Sequence, residues 1–136
     1  MDERVVNLPL GIKIGRKNYA LNLNIYRNTH FHLLNKMKVE FSGSISAELF
    51  SLPKYKWVNL TYTLYPKTNR LCDVANICSI VDKFFCDALV QAEKLEDDNY
   101  KFLNQITYKF GKVDKTNPRV EVKINGEIYE DQSCTE

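Results

Sequence analysis

Long apolar runs are missing from this chain. No stretch approaches the ~20 residues of a membrane span, so the sequence reads as soluble and off the membrane. The opening, MDERVVNLPL, starts acidic and lacks an extended apolar block. No secretory leader is therefore expected, and the expected location is cytoplasmic. No CxxC pair is present: Cys72, Cys78, Cys86 and Cys134 are scattered. That spacing argues against a zinc knuckle and, in a reducing compartment, for free thiols. Cys78 and Cys86 fall within a helical pattern and read as small core residues. Asn59-Leu60-Thr61 matches a glycosylation sequon, which without secretion reads as a chance match. No low-complexity linker or internal repeat divides the chain.

What is present fits one domain. The 136 residues, 44% of them hydrophobic, suffice for a single core. The net charge of +2 hides an asymmetry. Residues 11–70 hold ten lysines and arginines against two acids, Glu40 and Glu48, whereas residues 71–136 hold eight basic residues against thirteen acids. Such segregation points to an anionic partner met by the basic half.

Periodicity gives the elements. Residues 20–28, ALNLNIYRN, alternate like a strand entering a polar loop. Residues 30 to about 50 read as a helix, with Phe31, Leu34, Met37 and Phe41 on one face and Gly43 weakening its middle. Residues 56–66 alternate Val58, Leu60, Tyr62 and Leu64 against Trp57, Asn59, Thr61 and Thr63, a strand closed by Pro66. A helix is expected over 74–92, a strand over 105–113, and another over RVEVKI. Asn125-Gly126 then gives a two-residue hairpin signal. His30 and His32, two apart, diverge by about 200° on a helix and do not chelate together. The expected fold is α+β, a two-layer sandwich with two main helices on one face of a mixed sheet. It fills residues 1–136 as a single domain, with about 130–136 as a short flexible tail.

The helix over 74–92 is flanked by acids. Asp73 is placed to cap it. Asn76, Lys83 and Asp87 fall within about 40° on its wheel, with Asp73 about 60° from Asn76 and Asp82 about 100° off Lys83. Asp97 and Asp98 follow in a loop. A loop returning beside the helix would bring them to Asp73. Converging carboxylates favour a divalent cation. Magnesium suits one or two of them plus a phosphate oxygen, and it can activate water against a phosphodiester.

These residues resemble a known family. Asp73-Val74-Ala75-Asn76, Lys83 through Asp87-Ala88-Leu89, the Asp97-Asp98 pair and the strand PRVEVKI are similar to the motif D-L-D-N, K-x-x-x-D-A-L and D-D of the RusA-type Holliday junction resolvases, mainly of phage and prophage origin. The basic segment NLNIYRNTHFHLLNK is similar to one in many members. Two departures stand out. Ala75 replaces the second acid of D-L-D-N, and four extra residues precede Lys83. That insertion lengthens the helix by about 6 Å.

The resemblance implies a homodimeric endonuclease that resolves four-way DNA junctions by paired nicks, with magnesium or manganese. It assigns metal-ligand roles to Asp73 and Asp98, then Asp97, and the site lysine to Lys83, with Ser79 the alternative occupant. Asn76, Asp82 and Asp87 become support positions. Asp82 is disfavoured as a ligand by its wheel position, and Asp87 by the ~21 Å that fourteen helical residues span. Phosphate contacts are expected from the basic half, chiefly Arg16, Lys17, Arg27, Lys36, Lys38, Lys67 and Arg70. The alternative, given Ala75, is a branched-DNA-binding protein on the same scaffold with reduced or lost catalysis.

Overall fold

The computed structural model describes residues 2–129. In chain order it builds β1 (Asp2–Leu8), β2 (Gly11–Ile14), β3 (Lys17–Ala20), α1 (Leu23–Asn28), α2 (Phe31–Ser44), α3 (Ser46–Ser51), β4 (Tyr55–Tyr65), α4 (Val74–Gln91), β5 (Leu103–Phe110) and β6 (Arg119–Ile128). The expected tail at 130–136, and Cys134 with it, lies outside the described residues.

The main sheet runs β1-β6-β4-β5, and β2-β3 form a separate hairpin. β6 is antiparallel to both neighbours, whereas β5 is parallel to β4. Parallel neighbours need a crossover, usually a helix, and α4 supplies it. β4 alternates as its sequence does. Val58, Leu60, Tyr62 and Leu64 are buried beneath the helices, and Asn59, Thr61 and Thr63 line the other, polar face. The core joins these residues to Val120, Val122 and Ile124 of β6, Phe41 of α2, and Ile80, Val81, Phe84, Phe85 and Leu89 of α4. The sheet is thus mixed and the class mixed α/β, with four helices among the described residues.

Three local expectations give way. Residues 23–28 are helical, because Asn22 caps Ile25 N–H through its side chain and Asn76 of α4 accepts from Leu23 N–H at 2.7 Å. Those two tertiary and capping bonds outweigh the alternating pattern. The helix from residue 30 breaks after Ser44, and Phe31 is exposed. Asn125-Gly126 makes no hairpin and lies inside β6, paired to β1 and β4. Gly126 is needed there for space. A Cβ would sit 2.5 Å from the Trp57 carbonyl oxygen and 2.8 Å from the Tyr55 ring, where β4 slips register between Tyr55 and Trp57.

Gly126→Ala should therefore cost on the order of 1–3 kcal/mol through overpacking. Asn125→Ala, on the polar face, should cost under about 1 kcal/mol. Urea unfolding of both variants reads the contrast, and equal small losses would contradict the close approach.

Candidate nucleic-acid and metal site

α4 begins where its sequence says it should. Asp73 Oδ1 accepts from the N–H groups of Ala75 and Asn76, at 3.0 and 3.4 Å. Its Oδ2 meets no donor among the described residues, and the side chain is exposed. It opens into a groove of about 420 Å³ lined by Asn22, Thr68, Arg70, Leu71, Asp73 and Asn76 among others. Leu71 is 98% exposed at its rim.

The polar stripe of α4 is partly used within the fold. Asn76 caps α1, as described above. Lys83 is exposed, with its ammonium 5.9 Å from the Tyr26 ring centroid. Asp87 pairs with Lys38 at 2.9 Å, so Lys38 is engaged rather than free. Ser79 is half-buried and makes no side-chain hydrogen bond to a described residue. Asp82 turns toward the sheet. It accepts from Tyr62 Oη at 2.6 Å, Tyr108 Oη at 3.1 Å and Cys86 Sγ at 3.2 Å. Burial, reinforced by the Asp82 charge, pushes the Cys78 thiol up to about 12 and Cys86 further, so both behave as inert core thiols.

The Asp97-Asp98 turn lies at the opposite end of α4 from Asp73. Its approach is fixed by Tyr55 N–H donating to the Lys94 carbonyl and Val58 N–H to the Phe102 carbonyl, which tie it to the start of β4. Asp73 follows the end of that strand. Asp97 accepts from Asp98 N–H at 2.8 Å and from Asn99 Nδ2 at 2.9 Å. Asp98 feels the charge of Asp87, which stands about 21 Å of helix from Asp73. The loop therefore does not return Asp97 or Asp98 to Asp73 within one chain. Among the described residues no three His, Cys, Asp or Glu side chains gather as a metal site. Toward magnesium, the groove offers the one free Asp73 oxygen, and Ala75 adds none. One carboxylate is the lower limit for an ion otherwise held by water and substrate phosphate, and Asp73 meets it.

The cations divide. Arg16 and Lys17 on the β2-β3 hairpin, Arg27 on α1, Lys36 on α2, and Lys67 and Arg70 before α4 are exposed. None of the six enters an ion pair among the described residues. Tyr19, Asn18, Asn24 and Asn28 form a second groove beside this field. No pattern in the sequence signals it, since β2 and β3, four residues each, are too short to show a period. Protein-family models and characterised proteins were both searched, and neither yields a match to this chain.

Partial burial, then the hydrogen bond and charge of Asp97, hold the Asp98 carboxyl above its usual 3.8. A raised folded value favours the protonated form. That stabilisation is present below pH 3.8 and is lost as pH rises through the folded value. Asp98→Asn should therefore be more stable than the parent at pH 7, with the gap closing below pH 3.8. Urea midpoints at the two pH values test it, and a gap independent of pH would refute the cause.

Proposed function

We propose that this protein binds branched DNA and nicks it as a magnesium-dependent, structure-selective endonuclease of the RusA-like kind. The observation that carries the reading is the Asp73 groove. It holds an exposed carboxylate with one oxygen free and an unpaired guanidinium, Arg70. Both stand at the N-terminus of an 18-residue helix. A helix start favours phosphate, and Arg70 adds a fork of donors matched to it. Bound magnesium supplies charge neutralisation at the phosphate and an activated water. Asp73 holds the cation, while Arg70, Arg16, Lys17, Arg27, Lys36 and Lys67 fix the DNA backbone. Such contacts orient the duplex without reading its sequence.

The proposal includes a homodimer. β5 is an edge strand with Ile106 and Phe110 exposed. Tyr100, three residues before β5, and Leu71, on the approach to α4, are also exposed, at 82% and 98%. An open apolar edge of this kind pairs readily with another copy. A two-fold axis beside the edge sets the copies antiparallel, so the Leu103 end of one strand meets the Phe110 end of the other. The partner's Asp98 then comes toward the Asp73 groove, supplying the carboxylate that Ala75 cannot. Ile106→Lys and Phe110→Lys should each shift the protein toward monomer in light scattering. A dimer unaffected by either would remove this interface.

Ala75 also favours a second reading, junction binding with catalysis lost. Incubation with a labelled four-way junction and a linear duplex, in magnesium, manganese or chelator, separates the two. The nuclease reading expects metal-dependent nicks in the junction alone. Losing a cation's charge stabilisation costs several kcal/mol, so Asp73→Asn should slow nicking at least about 100-fold with junction affinity retained. Tight junction binding without nicks under any metal would establish the second reading.

A further inference from the structure

We propose that the groove between β3 and the α1-α2 junction takes an unpaired nucleobase of the DNA. This rests on the DNA-binding reading above and assigns it a second site, apart from Asp73. The groove, of about 380 Å³, is lined by Lys17, Asn18, Tyr19, Asn24, Asn28 and His30 with a few apolar neighbours, and by no acid. Its size falls within the range of small-ligand sites.

Each part has a chemical counterpart in a nucleotide. Tyr19 and His30 offer aromatic faces to stack a base. The His30 ring already stacks on exposed Phe31, with centroids 4.7 Å apart and planes 29° apart, and the His32 ring centroid is 4.9 Å from that of His30. Stacking on such rings accepts any base. The side chains of Asn18 and Asn24 make no hydrogen bond to a described residue, and Asn28 spends only its Nδ2, on the Asn24 carbonyl. Side-chain amides present a donor and an acceptor together, which suits a base edge. Lys17 lies 5.2 Å from the Tyr19 ring centroid, with Arg16 beside it in the chain, so a stacked base would have its phosphate near two cations. A sugar ligand would use the rings and amides but has no call on the cations.

The position also fits. α1 is capped by Asn22, on the Asp73 groove, and ends at Asn28, on this one. Six helical residues span about 9 Å, close to three base steps of about 3.4 Å. One strand can therefore place a phosphate at Asp73 and an unpaired base here.

The test uses the full chain and three fluorescent probes: a duplex, the duplex with one bulged thymidine, and the same bulge made abasic. The thymidine bulge should bind on the order of tenfold tighter than the abasic one, as loss of a stacked base implies. His30→Ala and Asn24→Ala, both at exposed positions, should erase that preference and leave duplex affinity unchanged. Lys17→Ala should weaken all three probes and lower the salt slope by about one. Equal binding of the two bulges, or a preference that survives His30→Ala and Asn24→Ala, would overturn the pocket while leaving DNA binding standing. Failure to bind any probe would overturn both readings.

Discussion

Asp82 accepts hydrogen bonds from Tyr62 on β4, Tyr108 on β5 and Cys86 one turn along its own helix. Hydrogen bonds to a charged group contribute roughly 1.5–3 kcal/mol each, and here two of them join α4 to separate strands. Burial first, then the Asp82 charge among other neighbours, holds both phenols well above their ordinary range. They stay donors at any ordinary pH. β5 is otherwise tied to the sheet by β4 alone, so the same carboxylate also seats the edge strand. Its larger effect is rotational. With Asp82 turned to the sheet, Lys83 and Asp87, about 100° and 140° round the wheel, are carried away from it, and Asp73, about 180° round, opens outward at the helix start.

From that setting the surrounding elements follow. Asn76 reaches α1 and supplies the acceptor for its first free N–H, so the orientation of α4 becomes the orientation of α1. α1 in turn spans two grooves, one at each end. On the far side of the sheet Arg119 does comparable work. Its guanidinium bonds Asp114, Glu121 and the Asn117 carbonyl and lies 4.1 Å from the Tyr65 ring centroid. That bond to Arg119 draws the Asp114 carboxyl below its ordinary value. The loop between β5 and β6 is thereby fastened beside the end of β4.

What the sequence disclosed depended on how local each cause was. The alternation of β4 and the 3.6-residue period of α4 are properties of consecutive residues, and both elements stand where their patterns place them. The same wheel that set Asp82 apart from Lys83 already turned it from the metal side. α1 was hidden because its start is capped from 53 residues away. The Asn-Gly step misled because its glycine answers a bulge in a neighbouring strand, not a turn. Asp97 and Asp98 were legible as a loop, but the loop's direction is fixed by backbone bonds to Tyr55 and Val58. No pattern within 92–102 encodes those partners.

The charge asymmetry acquires its meaning through pairing rather than count. Lys38 is bound to Asp87, Lys56 to Glu127, Lys123 to Glu3 and Arg119 to two acids. The exposed lysine pairs add little stability, about 0–1 kcal/mol each. They do cancel field locally, and so decide where field remains. The exposed cations that stay free of ion pairs among the described residues include Arg16, Lys17, Arg27, Lys36, Lys67 and Arg70, on the hairpin, the first two helices and the approach to α4. These are the segments that wall the two grooves. An anionic chain is drawn to that side because these cations lack ion-pair partners among the described residues, while Glu93, Glu96, Asp97 and Asp98 of the other half lie past the far end of α4.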